Sequence, residues 1–273
     1  MNTKRSSSLK ALTECSIMIA LGTVLSIVKL FEMPYGGSIT LASMLPVVII
    51  AYRHGMKYGI GTALVTSLIQ MLLGMKNFSY FTTPESFIVL ALFDYVIAFT
   101  VFGIAGVFKG KIKRQSTALA TGAALASLLR YVCHVISGAT VWAGLSIPTE
   151  AALIYSISYN ATYMIPDTII LVACSAYVAS ALDLTTPIPT RIKSEAHSRE
   201  SIYCLIASGA SALIALVTDT ILVFSVLQNP ESGEFDITAL ANANWLAIAI
   251  VTAICAAVST SLVLIANKIS KKP

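Results

Sequence analysis

The stretch TALATGAALASLLRYVCHVISGA, from Thr117 to Ala139, contains 23 residues, of which only Arg130 carries a permanent charge. A helix that crosses a bilayer needs about 17–25 mostly apolar residues, so this stretch predicts a transmembrane helix. The whole chain has the same character, because 56% of its residues are hydrophobic and only 11% are charged. Soluble domains carry about 25% charged residues. The composition therefore predicts an all-α integral membrane protein that lies in a lipid bilayer.

Apolar runs of similar length recur on both sides of this stretch. Together they predict eight transmembrane helices: Ala11–Leu30, Thr40–Tyr52, Tyr58–Met75, Phe87–Phe108, Thr117–Ala139, Ala151–Leu182, Ile202–Leu227 and Ala239–Ile265. The second run is shorter than a spanning helix needs, and Pro46 interrupts it. We expect it to be tilted against a neighbour or continued by the loop before it.

Lysine and arginine are distributed unevenly between the connecting segments. If the N-terminus is cytoplasmic, every one of the 18 basic residues except Lys29, Lys76 and Arg130 lies in a cytoplasmic segment. This agrees with the excess of positive charge on the inner side of membrane proteins. The pattern predicts a multi-pass plasma-membrane protein with both termini in the cytoplasm. The net charge of +5 then reflects membrane orientation and not a nucleic-acid partner.

One strongly polar break, DLTTPIPTRIKSEAHSRES, divides the chain. We predict a six-helix membrane domain over residues 1–182, a cytoplasmic linker over 183–201, and a two-helix hairpin of unknown role over 202–273. The five cysteines all lie in apolar segments without a C-x-x-C pair, so no metal site is expected. No cofactor motif and no spacing of a nucleophile with a base is present, which argues against an enzyme.

Polar residues inside the predicted helices carry the functional information, because each is costly in hydrocarbon. They are Asp94, Arg130, His134, Asn160, Asp167 and Asp219. At 1.5 Å per residue, Asp94, His134 and Asn160 lie about 8 to 14 Å below the outer ends of their helices. Trp142 and Tyr155 fall nearer the outer surface. These side chains predict a pocket that is open to the outside.

Such a pocket suits a small, flat, nitrogen-rich and cationic ligand. Aromatic rings attract cations, the carboxylate of Asp94 accepts charge-assisted hydrogen bonds, and Gly138 would let a ring lie against the helix backbone. Two alternatives stay open. Trp142 and Tyr155 can be interfacial anchors, and isolated polar residues can join helices to one another.

Four segments carry a family resemblance. They are KLFEMPYGGSITLASMLPVVIIAYRHG (Lys29–Gly55), LFDYVIAFTVFGIAGVF (Leu92–Phe108), LLRYVCHVISGATVW (Leu128–Trp142) and YSISYN (Tyr155–Asn160). In this order and spacing, the chain resembles the thiamine-specific S-component of energy-coupling factor (ECF) transporters over about Leu12–Val178. The resemblance implies a prokaryotic six-helix membrane protein that captures thiamine from outside the cell.

The same resemblance implies which residues bind the ligand. They are Asp94, Tyr95, His134, Gly138, Trp142, Tyr155 and Asn160, with Tyr35 and Tyr80 as looser matches. In this scheme Asp94 binds the aminopyrimidine, the rings of Tyr95 and Trp142 face the ligand, and the remaining polar groups hydrogen-bond it. The chain departs from the family pattern in having Asp where some relatives have Glu. It also continues for two helices beyond the usual six.

The resemblance further implies partners, namely a transmembrane scaffold subunit and two cytoplasmic ATPase subunits. On the first helix, Ser16 and Ala20 form a small-x-x-x-small pair that would let a partner helix approach, although internal packing explains it equally well. Arg130 would either pair with Asp94 in the empty site or hydrogen-bond neighbouring helices.

Two other functions remain open from the sequence. One is an S-component for another heterocyclic vitamin or for a thiamine precursor. The other is an ion-coupled secondary transporter that works alone and uses Asp94, Asp167 or Asp219 as ion sites.

Overall fold

The structure is a computed structural model, and it describes residues 3–145, 147–192, 199–227 and 235–270. Its helices are α1 (Thr3–Ile27), α2 (Leu45–His54), α3 (Met56–Leu73), α4 (Pro84–Phe108), α5 (Gln115–Thr140), α6 (Ala152–Ala181), α7 (Arg199–Leu227) and α8 (Trp245–Ser270). Seven of them are long and apolar enough to cross a membrane. The predicted all-α membrane fold is thereby confirmed.

The second predicted helix is the exception. Helix α2 has only 10 residues, which is about 15 Å of helix against a hydrocarbon core of about 30 Å. It begins at Leu45, with Pro46 in its first turn, and it therefore does not include the residues from Thr40 onward. The predicted start at Thr40 was therefore wrong, whereas the shortness of this helix agrees with the sequence. The proline begins the helix here because its fixed φ suits a first turn.

The residues before α2 form a small outer hairpin instead of helix. Strand β1 (Lys29–Glu32) pairs antiparallel with β2 (Ser38–Thr40). Gly36 and Gly37 turn the chain with φ values of 96° and 93°, which only glycine adopts readily. Helix α1 consequently ends at Ile27, before Lys29 and Leu30 that the first predicted helix included.

Helix α4 is not a regular α-helix along its length. A π-helical segment occupies Leu90–Val96, and a 3₁₀ segment occupies Val101–Phe108. Glycines allow this second segment to pack closely. A Cβ atom on Gly103 would lie 2.4 Å from the Ile60 backbone, and one on Gly106 would lie 2.1 Å from the Ala51 carbonyl oxygen. Small residues at such contacts are typical of packing between membrane helices.

The chain divides into two compact units, Met1–Ile192 and Lys193–Pro273. The first contains α1 to α6, the outer hairpin, and a two-residue pair of strands, β3 (Leu182–Asp183) and β4 (Thr190–Arg191). The second contains α7 and α8. The division falls inside the predicted linker, part of which, residues 193–198, lies outside the described residues.

Helices α7 and α8 of the second unit are joined by polar contacts along an otherwise apolar pair. The hydroxyls of Ser208 and Ser259 are 2.7 Å apart, and Thr252 donates to an Asp219 carboxylate oxygen at 2.6 Å. Hydroxyl contacts of this kind hold membrane helices together. Asp219, one of the polar residues picked out from the sequence, therefore bonds to the neighbouring helix.

At the cytoplasmic end of the first unit, Arg53 connects three parts of the chain. Its guanidinium donates to the Glu14 carboxylate of α1 at 2.5 and 3.1 Å, and to carbonyl oxygens of Leu184 and Thr186 after α6 at 2.9 and 3.2 Å. The Arg53 side chain is only 3% exposed. This ion pair fixes α1 and the segment after α6 to the end of α2.

Replacing Glu14 with glutamine is expected to lower thermal stability. The exchange leaves the buried Arg53 without its counter-ion, which costs about 3 kcal/mol in comparable buried pairs. A thermal unfolding assay in detergent micelles should show a melting temperature several degrees lower. Glu85→Gln is the matched control, because Glu85 is exposed and makes no ion pair among the described residues. Equal melting temperatures for the two variants would contradict the stabilising role of the pair.

Candidate functional site

A cavity of about 450 Å³ lies in the first unit, between the outer hairpin and the outer halves of α3 to α6. This volume is within the range of about 300–1,000 Å³ that is usual for small-molecule sites. Seven of the nine residues predicted to bind the ligand line it: Tyr35, Asp94, Tyr95, His134, Gly138, Trp142 and Asn160. Tyr80 and Tyr155 are not part of the lining.

Asp94 is the centre of the hydrogen bonding in this cavity. Its Oδ1 lies 2.8 Å from His134 Nδ1, and its Oδ2 accepts from Ser137 Oγ at 2.8 Å and from Trp142 Nε1 at 2.9 Å. Asp94 is on the π-helical segment of α4, a type of segment that is frequent at functional sites. The three donors come from α5 and the residues that directly follow it. One carboxylate therefore joins α4 to α5 at the cavity wall.

Arg130 pairs with Asp167 on α6 and not with Asp94. Its Nη1 donates to Asp167 Oδ2 at 3.3 Å, and its guanidinium carbon lies 4.5 Å from the centre of the Phe99 ring. Asp167 Oδ1 also accepts from the backbone N–H and the hydroxyl of Thr40 at 2.9 Å each. The second of the two alternatives for Arg130, contact with neighbouring helices, is therefore the one observed.

The charges of these groups differ in how they are compensated. Arg130 and Asp167 offset each other in a buried pair. Among the described residues, no Lys or Arg lies within ion-pair distance of Asp94. Asp94 is thus the carboxylate of the cavity that a cationic ligand could neutralise.

Asn160 and Gly138 are both used in the contact of α5 with α6. Asn160 Nδ2 donates to the His134 carbonyl oxygen at 3.3 Å, and its Oδ1 accepts from the Tyr163 hydroxyl at 2.7 Å. A Cβ atom on Gly138 would lie 2.2 Å from Ser156 Oγ. The space beside this glycine is therefore filled by α6. Gly138 nevertheless lines the cavity, so contact of its backbone with a ligand ring stays a prediction.

Aromatic rings line the part of the cavity near its outer end. The ring centres of Trp142 and Phe81 are 4.9 Å apart in an edge-to-face arrangement, and those of Trp142 and Tyr80 are 5.8 Å apart. Tyr80 in turn lies 5.7 Å from Tyr35 in the outer hairpin. Tyr80 thus contacts two lining residues without lining the cavity itself. Tyr95 is held by the residues that follow α3: its hydroxyl donates to the Gly74 carbonyl oxygen at 3.1 Å and accepts from Asn77 Nδ2 at 2.9 Å.

Tyr159 and Tyr163 line the cavity in place of the predicted Tyr155. The Tyr159 hydroxyl donates to the Gly36 carbonyl oxygen at 3.0 Å, and Gly37 lies directly against the Tyr163 ring. These tyrosines hold the turn of the outer hairpin against α6. They follow Tyr155 by four and eight residues, and this spacing was the available signal, since positions i, i+4 and i+8 share one helix face. Sequence reasoning also missed that Lys29, Glu32, Lys76 and Asn77 line the cavity.

On α1, Ser16 and Ala20 are exposed on the outside of the bundle. Gly22 is buried instead, and a Cβ there would lie 3.1 Å from the Ser43 carbonyl oxygen. Internal packing in the first unit therefore accounts for Gly22 but not for the other two. In the part of the chain that the structure describes, no group of three His, Cys, Asp or Glu residues could hold a metal ion.

An α-helical membrane bundle with a polar and aromatic cavity in its outer half is the architecture of a membrane protein that binds a small solute. The chain belongs to the thiamine transporter protein family (Thia_YuaJ), whose family model matches residues 12–185. This confirms the predicted family, a family of transporters and not of enzymes. It also agrees with a multi-pass protein of the plasma membrane.

Two relatives illustrate the match. The chain is 35% identical over 194 residues to the thiamine transporter ThiT of Bacillus subtilis (strain 168), covering 67% of this chain and 95% of that protein. It also resembles the solved structure of ThiT from Listeria monocytogenes, with a TM-score of 0.52 and 22% identity, over 63% of this chain and 94% of that one. The second likeness shows a shared fold. The family match ends before α7 and α8, so these helices are additional to it.

Proposed function

We propose that this chain is the substrate-binding S-component of an ECF importer and captures thiamine in the cavity around Asp94. The observation that carries the proposal is an Asp94 carboxylate inside an aromatic-lined cavity, without a Lys or Arg partner among the described residues. Thiamine brings a permanently charged thiazolium ring and a flat aminopyrimidine. A charged carboxylate and several rings in a low-dielectric site match both.

Within this proposal the residues have separate roles. The Asp94 carboxylate accepts hydrogen bonds from the aminopyrimidine and offsets the positive charge of the ligand. Trp142, Tyr35 and Tyr95 offer ring surfaces. The donors that Asp94 now receives from Ser137 and Trp142 are side chains, so they can share the carboxylate with a ligand. Tyr80 positions Trp142, and Tyr159 and Tyr163 complete the wall.

The remaining predicted residues fit this proposal less directly. The amide nitrogen and the oxygen of Asn160 both hydrogen-bond protein groups. We therefore assign Asn160 the role of positioning His134 and Tyr163. Tyr155, outside the lining, would reach a ligand only through a rearrangement of the start of α6. We propose that residues 1–182 form the binding domain, because the cavity lies entirely within them.

Transport in this proposal depends on partner subunits. The sequence has no nucleotide-binding motif, so ATP-driven uptake requires a transmembrane scaffold subunit and two cytoplasmic ATPase subunits. The exposed Ser16 and Ala20 on α1 provide a surface where a scaffold helix can approach closely. Thiamine binding itself needs none of these partners.

Deleting the ATPase genes is therefore expected to abolish thiamine uptake while the purified chain still binds thiamine. Cells expressing this chain would be assayed with radiolabelled thiamine, with and without the ATPases, and binding would be measured by titration calorimetry. Uptake that continues without the ATPases and follows an ion gradient would contradict the proposal in favour of a secondary transporter. Tight binding of a different heterocycle, with none of thiamine, would contradict the ligand assignment.

Bulky substitutions on α1 test the docking surface. The double variant Ser16→Leu, Ala20→Leu should lose the co-purifying scaffold subunit and keep thiamine affinity, because neither residue lines the cavity. Gly209→Leu is the control, since it adds similar bulk to α7 at a position with no neighbour within 4 Å and outside the family match. Unchanged co-purification in the α1 variant would contradict docking at this surface.

A further inference from the structure

The contact between Arg130 and His134 has a defined direction. Arg130 Nε lies 3.1 Å from His134 Nε2, and both residues are on α5, four positions apart. A guanidinium group carries only donors and does not lose its proton in proteins. His134 Nε2 must therefore be the acceptor, and it carries no proton in this arrangement.

The other imidazole nitrogen is then also defined. A neutral histidine with an unprotonated Nε2 carries its proton on Nδ1. That Nδ1–H points to Asp94 Oδ1 at 2.8 Å, and Asp94 Oδ2 accepts from Ser137 and Trp142. Asp94 therefore accepts in all three contacts, which is the role of an ionised carboxylate.

We propose that Arg130 is a positioning residue that keeps His134 in its neutral Nδ1–H form and thereby leaves Asp94 available as the charged acceptor for a cation. Asp167 holds the guanidinium in place from α6 through its 3.3 Å contact. Thr40 fixes Asp167 in turn, with two donors at 2.9 Å. The function assigned to Arg130 rests on the proposed function, whereas the protonation state of His134 does not.

A neutral His134 matters because its imidazole lies beside Asp94, the carboxylate that we assign to the positive charge of the ligand. A protonated imidazole 2.8 Å from Asp94 would form an ion pair with it and compete with a cationic ligand for the same carboxylate. The titratable and charged groups that face His134 are Asp94 from α4, Arg130 from its own helix, and Tyr163 and Asp167 from α6. Of these, only Arg130 places a donor on Nε2.

The hydrogen bond from Arg130 to His134 is buried, which protects it from exchange with water. Arg130 and His134 are each 8% exposed, and the Arg130 guanidinium also rests on the Phe99 ring. A second proton on the imidazole would have to enter between Nε2 and the guanidinium. Binding of thiamine, a permanent cation, is therefore expected to change little across the range from about pH 5 to 8 in which histidines usually titrate.

Two variants test the role of Arg130. One is the double variant Arg130→Gln, Asp167→Asn, and the other is the single variant Asp167→Asn. The double variant removes both charges of the buried pair, so the net charge of the cavity is unchanged and no lone charge is left behind. The single variant keeps the Arg130 donor on His134 but leaves the Arg130 charge without its counter-ion, so it serves as the control for the pH dependence of binding and not for the affinity itself. Thiamine affinity is measured at several pH values, and ¹⁵N-histidine NMR reports the protonation of each ring nitrogen. The His134 signals are assigned by their loss in His134→Gln, since the chain has three histidines.

We expect the wild type and Asp167→Asn each to keep Nε2 unprotonated and to show an affinity for thiamine that is the same at every pH value. Asp167→Asn should bind more weakly than the wild type at all of them, because Arg130 has then lost its counter-ion. In the double variant, His134 should gain a second proton at low pH, and affinity should fall about tenfold from pH 8 to 5. A double variant that loses affinity equally at every pH would overturn the positioning role. A wild-type spectrum with a protonated Nε2 would overturn the proposed tautomer, even if thiamine did not bind. Absent thiamine binding with the expected spectrum would overturn the proposed function alone.

Discussion

Exchange of Asp94 for asparagine is expected to weaken thiamine binding at least tenfold, which corresponds to about 1.4 kcal/mol or more. The variant keeps the size of the side chain and one oxygen acceptor. It loses the negative charge that offsets the ligand, in a cavity where no Lys or Arg pairs with this carboxylate among the described residues. In addition, the new amide NH₂ group would face donors from Ser137 and Trp142. Titration calorimetry of the purified protein measures the change.

Glu85→Gln is the matched control for this experiment. It removes one negative charge from the same helix, at an exposed position that does not line the cavity. Its affinity should equal that of the wild type. If both variants bind thiamine as tightly as the wild type and remain folded, Asp94 is not the group that neutralises the ligand. The site assignment would then be wrong.

Exchange of Trp142 for alanine should have an effect of at least similar size. The indole contributes a ring surface at the outer end of the cavity and donates to Asp94 at 2.9 Å. Its removal also takes away the ring that Phe81 and Tyr80 contact on this side. Cation–π attraction and ring stacking of about 0.5 to 2 kcal/mol each are lost together. A loss of at least tenfold in affinity is expected in a titration.

Trp142→Phe separates the two contributions of the indole. Phenylalanine keeps a ring but has no N–H donor for Asp94, so its affinity should lie between those of the wild type and the alanine variant. Trp245→Phe on α8 is the control, because that residue lies in the second unit and does not line the cavity. Wild-type affinity in Trp142→Ala would show that the ring is only an interfacial anchor.

The membrane architecture could be predicted from sequence because it depends on length, hydropathy and charge, which are local properties. The same is true of the depth at which Asp94, His134 and Asn160 lie, since depth follows from the number of residues to the helix end. These three side chains do line one cavity. Depth alone, however, does not specify the side of a helix.

The sequence-based predictions fail where contacts between distant parts of the chain, and not local sequence patterns, determine the structure. The outer hairpin was missed because residues 31–39 read as a loop between two predicted helices, whereas Gly36 and Gly37 turn the chain so that β1 and β2 pair. Tyr155 was predicted because the family resemblance implied it, whereas the rotation of α6 places Tyr159 in the lining. Arg130 and Asp167 are 37 positions apart in the sequence, and no periodicity reveals such a partner. The irregular turn of α4 likewise changes which side Asp94 faces.

The two tryptophans of the chain allow the most direct test of the cavity as the thiamine site. In Trp245→Phe, all tryptophan emission comes from Trp142, 2.9 Å from the carboxylate that we assign to the ligand. Thiamine should quench this emission saturably, and the quenching should disappear in Trp142→Phe, where only Trp245 emits. Saturable quenching in Trp142→Phe, with none in Trp245→Phe, would contradict binding in this cavity.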